Sequence, residues 1–215
     1  MNHRYPFLLT LSLACMLLAS CATIGTDGEP GDADKPPLKP SEPSTWAAEK
    51  LKRQQIQDWE IRGRLGVQTK TEGGSLDIVW KQSGAEYSIR LIAPMAAGNY
   101  HILGENDYAE IRYPDGSKAT IENADDVFLT SLKVDLPTTA IKDWVRGLPA
   151  SELTVEHIKW NEYGLIERIR QSGWNVEMNR YTGSEMLMPH AIYISRDDDE
   201  DLDIRLVLRQ WLLDN

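Results

Sequence analysis

Two cysteines, a few histidines and one dense acidic run are the residues here whose chemistry goes beyond packing, and their spacing argues against most of it. His101, His157 and His190 lie far apart, each in or beside a predicted strand, and no HExxH, CxxC or paired-histidine spacing links them into a metal site. The run Asp197-Asp198-Asp199-Glu200-Asp201 matches a calcium loop at its first, third and fifth positions. It then fails, because Leu202 stands where the turn glycine belongs and Leu208 where the bidentate glutamate belongs, so it reads as a charged hairpin loop. No GxSxG turn, Walker loop or GxGxxG occurs, and no carboxylate pair has a spacing that acid–base chemistry requires. No metal, no cofactor and no enzymatic activity is expected.

Cys21 is different. Arg4 supplies a positive start, residues 5–19 form an uncharged apolar run too short to span a bilayer, and Leu18-Ala19-Ser20-Cys21 follows. That order resembles the lipobox of bacterial lipoproteins, which implies a signal peptide over 1–20 and an acylated Cys21 (N-palmitoyl, S-diacylglycerol) as the new N-terminus. The alternative is an ordinary cysteine just past a cleavage site. Ala22, in place of aspartate, implies by resemblance to enterobacterial lipoproteins the outer membrane as destination. The whole chain carries a formal charge of −10, and loss of the signal removes only one cation, Arg4. Such a surface opposes non-specific binding to nucleic acid, so no nucleic-acid partner is expected. An anchor on a membrane is then apolar, as covalent lipid is.

The elements that position these groups begin with a tether. Residues 21–45 are dense in Pro, Gly, Asp and Ser, with a coil reach of roughly 25–30 Å, and the folded domain is placed at 46–215. Ser44 and Thr45 are candidate caps for a helix over Trp46–Asp58, whose Lys50, Lys52 and Arg53 read as a solvated basic face. Trp59–Val67 alternates as a first strand, and Gly73-Gly74 reads as the turn after it. Leu76, Ile78 and Trp80, then Tyr87, Ile89 and Leu91, alternate on either side of Ser83-Gly84-Ala85, a hairpin. Its second strand runs into Pro94-Met95-Ala96-Ala97-Gly98, where proline ends the ladder and an apolar methionine occupies the tip. Met95 either meets an apolar partner or folds back to fill the core.

Further strands are predicted at 100–103, 108–113 and 118–121, and again at 157–160, 165–170, 174–180, 191–195 and 202–208. Between the two sets, Val127–Leu132 and Thr138–Arg146 read as short helices, the second with Ile141, Trp144 and Val145 on one side and Gly147 and Pro149 at its end. A helical pair inserted in a meander either plugs the core or covers it as a lid. Seven tryptophans and eight tyrosines against two phenylalanines suit the rim of an apolar cavity, or any β-sheet core.

The lipobox, the tether, Trp59 with Gly63, Trp80-Lys81-Gln82, Tyr87 to Pro94, Leu136-Pro137, Trp144-Val145-Arg146-Gly147-Leu148-Pro149, Gly173-Trp174-Asn175-Val176, Met188-Pro189 and Leu206 to Trp211 together resemble the outer-membrane lipoprotein acceptor family LolB. The resemblance implies a mainly β fold with α: an incomplete, unclosed antiparallel β-barrel of about eleven strands, with a lid of about three short helices around an apolar cavity. It implies a monomer that takes triacylated lipoproteins from the periplasmic carrier LolA and releases them, without added energy, into outer-membrane lipid on the periplasm-facing leaflet. Pro94 and Met95 take the place of the family's membrane-insertion loop, Met95 standing where the family carries an exposed leucine. Ile78, Trp80, Ile89, Leu91, Trp144 and Leu206 are the expected lining of the acyl cavity. The rival expectations are a structural or assembly lipoprotein that uses the same half-barrel to bind a protein, and, more remotely, a periplasmic hydrolase.

Overall fold

The computed structural model describes residues 41–94 and 98–213. Helix α1 (Trp46–Gln55) leads into β1 (Asp58–Gln68), β2 (Gly73–Ser83), β3 (Glu86–Ile92), β4 (Asn99–Glu105), β5 (Tyr108–Arg112) and β6 (Lys118–Ile121). Helices α2 (Asp126–Leu132) and α3 (Thr138–Val145) follow, then β7 (Val155–Trp160), β8 (Ile166–Gln171), β9 (Trp174–Asn179), β10 (Ala191–Arg196) and β11 (Asp203–Leu213).

Among the described residues the strands form one eleven-stranded sheet in the order β6-β5-β4-β3-β2-β1-β11-β10-β9-β8-β7. The first and last strands pair at its middle, and β6 and β7 are its two edges. They do not pair, so the barrel is unclosed. The chain leaves one edge at β6 and re-enters at the other at β7, and the only segment available to bridge them carries α2 and α3. The topology itself therefore sends these helices across the opening.

Alternation gives the sheet one apolar face. Paired residues line up across it: Ile61 opposes Trp80, Trp80 opposes Ile89, Ile89 opposes Ile102 and Ile102 opposes Ile111. A second lane runs Met178–Ile192–Leu206–Leu65–Leu76. The helices supply Val127, Phe128, Ile141, Trp144 and Val145 to the same buried cluster. They thus pack as part of the core.

Gly63 sits where the β1–β11 register slips, and a Cβ there would lie 2.3 Å from the Val207 carbonyl oxygen. Only glycine lets the two long strands approach at this bulge.

Three local expectations are corrected. Gly73 and Gly74 are the first residues of β2, opposite Gln68 and Val67; the turn is at 69–72, where Thr69 N–H donates to the Glu72 carbonyl at 2.8 Å. Helix α1 stops at Gln55, short of Asp58, and Thr45 occupies the cap position without a side-chain capping bond. Lys50 and Lys52 are exposed as expected, but Arg53 is fully buried.

Candidate functional site

The two ends of the half-barrel are built differently. At the end where β2 turns into β3, Trp211, Trp59, Trp80 and Tyr87 form a chain of rings with centroids 5.6, 5.5 and 6.5 Å apart. Buried Gln82 is fixed among them. It accepts a hydrogen bond from Trp80 Nε1–H at 3.2 Å and donates to the carbonyls of Gly84 and Glu86. Tyr87 lies over Gly104, whose added Cβ would touch its ring. Its hydroxyl is buried with no partner among the described residues. Burial first, then the charges of Asp125 and Asp107, push its pKa up to about 12.

Helix α1 is clasped beside this end by two arginines. Arg53 donates to the carbonyl of Arg146 at 2.9 Å and to that of Leu187 at 2.6 Å, and stacks over Tyr181. Arg146 answers by donating to the Ile56 carbonyl at 3.0 Å, just beyond α1. Gly147, with φ +75°, turns the chain there, and a Cβ would lie 3.0 Å from the Arg53 guanidinium. Burial lowers the Arg53 pKa, against the raising influence of Tyr181 and Glu49. Gln171, also buried, receives Trp144 Nε1–H at 3.0 Å and the Ala150 N–H at 2.9 Å, and donates to the carbonyls of Ala150 and Leu153. The Trp144-to-Pro149 segment is thus held at both its tryptophan and its arginine.

The opposite end is open. A cleft of about 940 Å³ is lined by Leu65, Val67, Leu76, Pro94, Leu132 and Val134, with Lys70, Glu72, Lys133, Asp199 and Asp201 around it. Its size is that of a ligand site. Helix α2 stops at this mouth because Lys133 adopts φ +62°, its N–H bonding to the Leu129 carbonyl, and Val134 turns back toward the sheet. Pro94 is exposed at the edge, and the Ala93 N–H to Gly98 carbonyl bond at 3.1 Å closes the base of its loop.

Of the expected site residues, Cys21 and Met95 lie outside the described residues. Ile78, Trp80, Ile89, Leu91, Trp144 and Leu206 are brought together in one buried cluster, each at most 2% exposed. None of the six lines the open cleft. Its walls belong to their neighbours in the same lanes: Leu65 pairs with both Leu76 and Leu206. The β1 and β2 alternation carried a signal for Leu65, Val67 and Leu76, but Leu132 and Val134 reach the mouth only through the helix end. The histidines stay apart: His101 bonds to Ser88, His190 Nδ1 donates to the Leu208 carbonyl at 3.0 Å, and His157 is exposed on an edge strand. Asp197 and Asp198 are engaged by Arg170, Asn175 and Arg196 in the β10–β11 hairpin loop.

Fold and site together define a class: an open antiparallel half-barrel with helices across its opening, filled by packed aromatics at one end and open at the other, where an apolar wall is rimmed by charged residues. Two solved structures share this fold, a DUF1329 family protein from Desulfovibrio piger (TM-score 0.54, 10% identity, covering 78% of this chain and 90% of that one) and a LolA superfamily protein from Nitrosomonas europaea (0.52, 9%, 79% and 93%). The chain belongs to the outer membrane lipoprotein LolB family, whose pattern matches residues 57–211. It is 30% identical to the outer-membrane lipoprotein LolB of Alkalilimnicola ehrlichii over 96% of both chains. With that of Halorhodospira halophila it is 27% identical, over 96% of this chain and 95% of the relative. Among the described residues no helix is long and apolar enough to cross a membrane.

Proposed function

We propose that this protein is the lipid-anchored acceptor of the outer membrane, held on the periplasmic face by acylated Cys21. It takes triacylated lipoproteins from the carrier LolA and passes them to the inner leaflet. The observation that carries this reading is the asymmetry of the half-barrel, with an open mouth of apolar wall and charged rim at one end and packed aromatics at the other. Three acyl chains contain several tens of CH₂ groups, and at about 0.8 kcal/mol each their exposure to water costs tens of kcal/mol. Transfer therefore runs from one shielded apolar surface to another.

Chains enter past Leu65, Val67 and Leu76. They reach Ile78, Trp80, Ile89, Leu91, Trp144 and Leu206 when the helices yield, exchanging one apolar contact for another at little net cost. The bilayer is the final sink, so the step needs no nucleotide. Burying a Met95 side chain in lipid contributes only about 1.5–3 kcal/mol, enough for a brief contact beside Pro94 and too little for an anchor.

The test mixes unlipidated protein with carrier preloaded with radiolabelled lipoprotein, separates the two and follows the label. Label on this chain without nucleotide is expected; label that stays on the carrier overturns the reading. Met95→Glu is expected to spare uptake and slow release into vesicles, and unchanged release would remove the loop from the mechanism.

A further inference from the structure

The convex face of the sheet is polarised along its strands. Just behind the Pro94 loop, the register sets Arg62, Val79, Arg90, His101, Arg112 and Lys118 side by side on β1 to β6. These positions point outward, since their neighbours Ile61, Trp80, Ile89, Ile102 and Ile111 are the buried lane. Facing residues on adjacent strands have Cβ atoms about 5 Å apart, so this is a continuous band. Burial first, then the charges of Arg112 and Arg90, hold the His101 pKa below its ordinary value.

The band is only half neutralised. Arg62 pairs with Glu60, but Arg112 and Lys118 share Glu110. Asp77, opposite Arg64 in the ladder, is taken by Arg209, and among the described residues Arg64 bonds only to the Ser75 hydroxyl. Arg90 has no carboxylate partner among the described residues and is exposed. Four residues further back along the same strands the outward row is Asp58, Ser83, Glu86 and Glu105, roughly 13 Å away at about 3.3 Å per residue. On the outward rows of β1 to β4 the cations thus stand toward the Pro94 end and the acids toward the other, while Glu72, Asp199 and Asp201 ring the neighbouring mouth.

We infer that this band, together with Arg64 one outward row nearer the loop, is a docking surface for the anionic phospholipid headgroups of a bilayer, turning the Pro94 end toward the membrane. The inference rests on the acceptor reading above. Arg90 and His101 stand two residues back from the point where β3 and β4 part into that loop, about 7 Å along the strand. A loop tip resting in the interface brings the band within a Debye length, about 8–10 Å, of the lipid phosphates. The acidic row, roughly 13 Å further back, lies beyond that length and is screened, so the band alone sets the orientation.

The test uses the mature chain with Cys21→Ala and measures co-sedimentation with phosphatidylcholine vesicles, with or without added phosphatidylglycerol. Tighter binding to the anionic vesicles, weakened by salt, is expected. Each neutralised arginine near such a surface is worth about fivefold, so Arg64→Glu with Arg90→Glu is expected to weaken anionic binding by about 25-fold or more and leave neutral vesicles unaffected. Lys159→Glu, exposed on β7 away from the band, is the matched control and should change nothing. Both arginines are exposed, and an unchanged circular dichroism spectrum checks that the double variant is folded.

Equal binding to both vesicles, no binding to either, or indifference to the double reversal overturns the assignment. So does a double variant that binds vesicles normally but takes up less lipoprotein from the carrier, because the band then docks a protein. Uptake of labelled lipoprotein by the wild-type chain, read in parallel, reports the acceptor reading independently.

Discussion

The sealed end and the open end of this half-barrel are made from the same strands with different chemistry. At the sealed end, large rings and buried polar groups interlock: Trp59, Trp80 and Tyr87 around Gln82, and Arg53 and Arg146 each bonded to the other's segment. Directional hydrogen bonds allow one arrangement. At the open end, Leu65, Val67, Leu76, Leu132 and Val134 meet with no hydrogen bond between their side chains, and apolar contact is non-directional. The difference separates two tasks. One end holds the helices on the sheet, and the other presents a surface that many apolar shapes can satisfy.

The sharpest way to break this division is to remove a ring from the sealed end. Trp80→Ala is expected to cost about 3–5 kcal/mol in stability, read from urea unfolding, because it empties a fully buried site and strips Gln82 of its donor. A cost under about 1 kcal/mol would mean that this end is no more rigid than the mouth. Arg53→Met comes next. It keeps an apolar stem but leaves the Arg146 and Leu187 carbonyls without their donor, at about 2–3 kcal/mol. Arg53→Lys should not restore the loss, because an ammonium cannot reproduce the guanidinium fork.

At the mouth the expected balance reverses. Leu76 is half-buried and lines the cleft, so Leu76→Glu should change stability by no more than about 1 kcal/mol. Binding of a fluorescent fatty-acid probe should fall about tenfold, because a charge replaces an apolar contact worth about 1.5 kcal/mol or more. If stability collapsed and probe binding survived, the two ends would have exchanged roles.

How much of this was legible in the sequence follows the range of the interactions. Period-two alternation located the strands, since it depends on neighbours two residues away. The six residues expected to line the acyl cavity share one buried cluster by the same alternation, but none of them lines the open cleft. The glycine pair at 73–74 misled because glycines resemble a turn, whereas the turn is made by backbone and Thr69 bonds to Glu72, and the glycines open β2. Arg53 misled because its partners lie 93 and 134 residues away, and a basic run on a short helix looks solvated until the chain returns to cover it. The mouth was half visible: β1 and β2 announced their walls, but Leu132 and Val134 arrive there through the left-handed turn at Lys133, which no periodicity encodes.

The smallest effect is the most discriminating. Tyr87 closes the aromatic chain, yet its hydroxyl is buried without a partner, so Tyr87→Phe removes a desolvated polar group and keeps the ring. At neutral pH it should leave stability unchanged or raise it by up to about 1 kcal/mol. The alkaline limb supplies an independent check. Burial raises the folded-state pKa from 10.0 to about 12, so between these values the unfolded chain has released a proton that the native protein keeps. Stability from this group is therefore full below pH 10 and falls as pH rises toward 12, at up to about 1.4 kcal/mol per pH unit. Tyr181, whose pKa burial also raises, contributes a slope of the same sign. Tyr87→Phe should flatten the alkaline limb without abolishing it. An unchanged limb would mean that water reaches the ring, and that the sealed end is not sealed at Tyr87.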